Sequence, residues 1–198
     1  MSKTKRIISI EDILHPESYK KVRKEKKVKM VEIKKVRRLS VGPYATFYFE
    51  NYETIWHQIH EMIFIEKGGF TQAKEEISAY KNLVPNGSEL IATLMFEIDS
   101  KSDREVFLKK VSGIEKYIYI TIGKERILAI SEDDINRTRN DGKTSAVHFL
   151  HFNLSKEQIN SFKNMGNKVT LSFGHPEYSY SHKIENNLKN SLLGDLDY

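Results

Sequence analysis

The segment ENYETIWHQIHEMIFIEK, residues 50–67, holds the densest set of side chains able to do chemistry. On a helix turning about 100° per residue, Glu53, His57 and His60 fall within roughly 60° of one another. Two imidazoles three apart, with a carboxylate one turn earlier, can share a divalent ion such as Fe, Mn or Zn. Glu61 lies about a quarter-turn away, as a further ligand or as an acid–base group. The order HQIHE is neither the zincin pattern nor its inverse, and the Glu-x-x-His di-iron pattern is absent from this segment. The same residues also read as the solvated face of a helix whose other stripe is Tyr52, Ile55, Trp56, Ile59 and Ile63. The sequence leaves both readings open.

Other histidines are less suggestive. Alternation along VHFLHF sends His148 and His151 to opposite faces of a strand, so they do not share one ion without a bulge. Each is expected as a core or half-buried histidine bonded to its surroundings. His175, in GHPEY, follows a strand and precedes a proline, where chains line clefts or make turns. His148 and His175 are the remaining cleft candidates. The chain has no cysteine, which excludes disulfides, thiolate metal sites and thiol catalysis within it. It has no Walker or dinucleotide glycine pattern and no serine in a nucleophile elbow.

Charge is segregated. Of a net +5, residues 1–38 hold 14 Lys/Arg against 5 Asp/Glu, and the remainder 18 against 22. Lys20, Lys21, Arg23, Lys24, Lys27, Lys34, Lys35, Arg37 and Arg38 crowd this basic arm. Such density suits an acidic protein or, through counter-ion release, a nucleic acid. Aromatics are not interleaved along it, so it offers no stacking platform for bases. The plainer reading is a solvated helix that clasps the body by its thin apolar stripe of Tyr19, Val22, Met30, Ile33 and Val36.

The elements that must position these groups follow from punctuation and period. Pro16 opens a long helix that nothing breaks before Gly42–Pro43. YATFYF is strand-like, and Asn51 caps the histidine-bearing helix. ELIATLMFEI alternates at period two, with Leu90, Ala92, Leu94, Phe96 and Ile98 on one face. Ser102/Glu105 and Ser155/Gln158 have capping-box spacing. GKE joins two strands as a hairpin, and DDINRTRNDGK is a polar loop or short helix. Two stretches, residues 94–123 and 149–174, share the order strand, capped helix, strand, as a diverged β-α-β duplication would. The predicted fold is α+β: a mixed or antiparallel sheet with helices packed on one side, preceded by the long basic N-terminal helix. Its parts are a helical arm over residues 1–42, a body over 43–178 and a polar, flexible tail over 179–198. Mean hydropathy is −0.53, and apolar runs such as IATLMF are too short for a bilayer. A soluble, cytoplasmic protein with no membrane contact is expected, and the arm's apolar stripe points to a homo-oligomer.

The segments RRLSVGPYATFYFENYETIWHQIHEM, YKNLVPNGSELIATLMFEI, KTSAVHFLHFNL and GHPEY together resemble bacterial domain-of-unknown-function family 3501, over most of the chain. The resemblance implies no assigned activity. It implies a context: members tend to be encoded beside rubrerythrin-like proteins and a cysteine-rich iron–sulfur protein. The leading expectation is therefore a non-enzymatic accessory or binding protein whose partner is an iron–sulfur or rubrerythrin-like redox protein that carries the cofactor. A metal-dependent enzyme built on Glu53, His57 and His60, and a nucleic-acid binder using the basic arm, are the alternatives. Glu50, Glu53 and Glu61 fit the family pattern better than the histidines do.

Overall fold

The computed structural model describes residues 5–132 and 142–197. The polar segment expected as a loop or short helix lies at 133–143, so residues 133–141 of it fall outside the described residues.

Helix α1, Pro16–Val36, starts as expected: His15 accepts the Glu17 N–H, Pro16 takes the first turn, and Lys34 and Lys35 face the negative end of the helix dipole. It ends earlier than the unbroken polar run predicts. Arg37 leaves the helical conformation, and Arg38–Val41 forms strand β1. Gly42, with φ +75°, then makes the turn into β2, Ala45–Phe49, where a Cβ would strike the Tyr178 hydroxyl and the Tyr180 ring. Helix α2, Tyr52–Glu66, is closed at its start by a reciprocal Asn51–Thr54 cap. It is followed by α3, Gly69–Tyr80, and by β3, Glu89–Phe96.

The rest alternates. Helix α4 is Lys101–Lys110, β4 is Ile118–Ile122, β5 is Glu125–Leu128 and β6 is Ile130–Ser131. Strand β7 is Val147–Asn153, α5 is Lys156–Lys163 and β8 is Val169–Phe173. Strand β9 is Ser181–Lys183 and α6 is Asn186–Leu193. Ser155 and Gln158 form the expected capping box. Helix α4 is capped instead by Ser100, whose hydroxyl accepts the Asp103 N–H.

The strands form two antiparallel sheets, β1-β2-β3-β7-β6 and β5-β4-β8-β9. Their inner faces meet in the main core, where Phe47, Leu90, Leu94, Leu150 and Phe152 oppose Ile118, Ile120, Leu171 and Phe173. The alternate residues Ile91 and Phe149 face outward into a second core under α2, with Ile55, Ile59, Ile63 and Leu83. The two β-α-β stretches each begin in the larger sheet and end in the smaller one. Strand β3 pairs with β7, and β4 with β8, both antiparallel, the arrangement that a local two-fold axis produces.

Two boundaries differ from expectation. Residues 1–42 are not a free arm, because β1 is the edge strand of the larger sheet and Tyr19 and Met30 of α1 are buried. The described part of the C-terminal segment, residues 179–197, holds strand β9 and helix α6 and packs on the body. Ile184, Leu188, Leu192 and Leu196, four residues apart in sequence, enter the main core, the middle two from α6 and the outer two from its flanks. Among the described residues no helix is long and apolar enough to cross a membrane.

Arg37 ties these outlying parts together. Its guanidinium donates to Phe49 O (2.9 Å), Glu50 O (3.0 Å), Ser191 O (3.0 Å) and the carboxylate of Asp195. Both members of that ion pair are only 3% exposed. Removing one partner of a buried pair leaves the other charge uncompensated. Arg37→Met should therefore cost about 3–5 kcal/mol in urea unfolding. Arg37→Lys should recover little of it, since one ammonium cannot span four acceptors.

Candidate functional site

The histidine face of α2 is neither an open metal site nor a solvated surface. His57 is 8% exposed and His60 2%. Helix α1 lies across them. Its Tyr19, one turn into the helix, is buried with its ring against His60 and Trp56. The Tyr19 hydroxyl donates to Glu61 Oε1 (2.8 Å). Its proton is thereby committed, so the contact with His57 Nδ1 at 3.2 Å is an imidazole N–H donating to the phenol oxygen. Arg23, four residues after Tyr19, grips Glu61 with Nε and Nη2, both at 2.8 Å, and Lys27 stands 3.4 Å off. The Arg23 hydrogen bonds, ahead of that from Tyr19, hold Glu61 down at about 2. Tyr19 is pushed up, by burial first and then by the neighbouring carboxylate.

His60 is used at both nitrogens. Nε2 accepts the Leu14 N–H (2.9 Å), and Nδ1–H donates to Trp56 O (2.7 Å). Burial pushes its pKa down to about 4, and burial also lowers that of His57. The expected ligand set is thus pulled apart. Glu53 turns outward to Lys29 at 2.6 Å, Glu61 belongs to Arg23 and Tyr19, and His60 has no lone pair left. Among the described residues no group of three or more His, Cys, Asp or Glu side chains is placed to hold a metal ion. Tyr19 and Arg23 are the members that sequence reasoning missed. Their four-residue spacing places them on one face of α1, but only the packing of the helices shows that they meet Glu61.

His148, His151 and His175 are bonded within the fold as well. His148 is fully buried beside Phe96, with Nε2 bonded to Ser145 O at 2.9 Å. His151 projects from the opposite face, as alternation requires. Its Nδ1 meets Glu89 at 2.9 Å and its Nε2 meets Glu132 at 3.6 Å. Burial alone would lower this imidazole, but the hydrogen bond and charge of Glu89, with Glu132, outweigh it and raise the pKa. His175 holds a turn rather than lining a cleft: Nδ1 accepts the Glu177 N–H and Nε2 bonds Ser112 O.

Of the basic residues, Arg37 is buried and Arg23 is bound to Glu61, so neither is presented to a partner. Lys20, Lys21, Lys24, Lys27, Lys35 and Arg38 are exposed, and Lys34 is half-buried. On α1, Lys20, Lys24, Lys27, Lys34 and Lys35 fall within about 100° of arc, with Val31 among them. Glu25 and Glu32 lie on a different flank.

A family model described as a protein of unknown function, DUF3501, matches residues 7–196. The crystal structure of a novel protein of unknown function from Burkholderia pseudomallei K96243 is similar over 96% of this chain and 100% of its own. It shares 35% sequence identity, at a TM-score of 0.89. No curated protein matches the chain.

His60 and His151 give opposite pH signatures. Below 6.5 the unfolded chain protonates its histidines while folded His60 stays neutral down to about 4, so acid removes stability across that window, by on the order of 3 kcal/mol. For His151 the folded pKa is the higher one. Its contribution is full below the unfolded value and is lost as pH rises through the folded value. Urea unfolding should show the advantage of the native chain over His60→Gln shrinking toward pH 4. Its advantage over His151→Gln should shrink on the alkaline side.

Proposed function

The chain belongs to the DUF3501 family, and from the way its chemistry-bearing side chains are used up in packing we propose that it is a binding protein, which docks an acidic partner on the exposed face of α1. The observation that carries this reading is the contrast between the two faces of one helix. The inner face commits Tyr19 and Arg23 to Glu61. The outer face presents Lys20, Lys21, Lys24 and Lys35 to solvent, and none of the four is in an ion pair among the described residues. Unpaired cations at this density raise encounter rates with an acidic surface and penalise basic ones. The exposed Val28 and Val31 between them add apolar contact.

The partner class we place first is a rubrerythrin-like or iron–sulfur redox protein of the cytoplasm, with the redox centre on that partner. This chain's part is recognition and positioning. A metal-dependent reaction on α2 fits less well, since the groups it needs are already bonded.

The test is a titration of the purified chain against purified rubrerythrin-like and iron–sulfur proteins from the same cell, with an RNA and a DNA oligonucleotide alongside. Binding to one of the proteins should weaken as salt rises from about 50 to about 200 mM, and Lys20→Glu/Lys24→Glu should weaken it at least about tenfold. Binding that ignores both salt and the charge reversal overturns the reading. Tighter binding to an oligonucleotide, with the salt slope of phosphate contacts, replaces it with nucleic-acid recognition.

A further inference from the structure

Between α1, α2 and the outer face of the larger sheet, the packing is incomplete. A cleft of about 340 Å³ opens there, within the size range of small-molecule pockets. Its floor is apolar: Ile55 from α2, Leu83, Met95 from β3, and Val147 and Phe149 from β7. Past Lys34 and Tyr48, which line both spaces, it continues into a groove of about 560 Å³ between the last turns of α1 and the β1–β2 edge.

The groove and the cleft differ in charge. The groove is lined by Lys27, Lys34, Lys35 and Arg38 and by no carboxylate. Of these four, only Lys27 reaches an acid, Glu61. Lys34, Lys35 and Arg38 are in no ion pair among the described residues. The nearby Glu97 accepts the Tyr48 hydroxyl at 2.8 Å. Glu50, two residues beyond Tyr48, also lines the cleft, and its two oxygens are held by the hydroxyls of Thr93, which pairs with Tyr48, and of Thr54. An anionic head is therefore drawn to the groove, and the apolar floor lies further across the sheet, on β3 and β7.

We propose that this cleft binds a small amphiphilic anion. A carboxylate or phosphate head would sit on Lys34, Lys35 and Arg38, and an apolar body would lie over Met95, Val147 and Phe149. Guanidinium and ammonium groups supply charge-assisted hydrogen bonds to either head. Burial of the chain supplies the rest, roughly a three- to fourfold gain in affinity per methylene until the cleft is filled. The site goes beyond the docking reading: it shares only Lys35 with the outer face of α1 and otherwise uses Lys34, Arg38 and the outer face of the larger sheet.

Calorimetric titration of the whole chain with octyl phosphate, octanoate, octylamine and inorganic phosphate tests it. Octyl phosphate or octanoate should bind one to one, and the stronger of the two identifies the head group. Hexyl and decyl homologues should show the stepwise gain. Octylamine should not bind. Lys34→Gln/Arg38→Gln should weaken binding at least about tenfold, and Met95→Glu, a change at a partly exposed position, should abolish it. Lys20→Glu/Lys24→Glu should leave it unchanged, so that failure of the partner-docking reading and failure of this one are separable. The proposal falls if inorganic phosphate binds as tightly as octyl phosphate, if octylamine binds equally well, if no anion binds, or if the Lys34/Arg38 variant binds like the native chain.

Discussion

Arg37 is the constraint from which the arrangement of the helices follows. A buried ion pair is seldom a large net stabiliser, because desolvation offsets much of the attraction. What it supplies here is position. The guanidinium is planar, and its acceptors, on four residues, come from the end of β2, the residue after it, and α6 with its following turn. They can be satisfied together only when the end of α1, the larger sheet and α6 stand in one mutual orientation. Helix α1 leaves that anchor and crosses α2 at the place where Tyr19 covers His57 and Arg23 reaches Glu61. The polar interface along α1 and α2 is thus set by a residue that lies outside both helices.

That interface explains why the histidines and Glu61 of α2 face α1 with their hydrogen bonds already made. Imidazoles packed under a tyrosine lose hydration, so their charged forms become costly and they remain neutral. The carboxylate beside them keeps its charge by taking a bidentate arginine. Each group answers another's hydrogen-bonding requirement, which is what a buried polar seam needs if it is to fix one packing of two helices. The surfaces that this packing leaves uncommitted are the lysine face of α1 and the cleft along the larger sheet.

Local signals were the legible part. Asn51, Ser155 and Pro16 mark helix starts because caps act within a few residues, and the period of β3 survives because its two faces serve two different cores. His148 and His151 separate onto opposite faces for the same reason. The end of α1 was hidden because Arg37 is an ordinary helix former whose removal from the helix is dictated by Asp195, far along the chain. The burial of His57 and His60 was hidden because α1 covers them with few apolar residues, Tyr19 and Met30 chief among them, in a run of lysines. The C-terminal segment reads as polar because Ile184, Leu188, Leu192 and Leu196 are isolated among polar neighbours, and their spacing counts only once the core is there to receive them. In the candidate site, each residue type was visible but its partner was not, since every decisive contact joins distant segments.

The pairing of β3 with β7 and of β4 with β8 has a consequence for synthesis. Neither strand–helix–strand unit completes a sheet from its own strands. When the first emerges from the ribosome, the edges of β3 and β4 that will meet the second have no partner, and an unpaired edge is a template for the wrong chain. Arg37 waits longer still, since Asp195 follows it by 158 residues. Folding of this chain is accordingly weighted toward its end: contacts of such long separation close late and slowly, and until they close the nascent protein is the kind of client that chaperones hold.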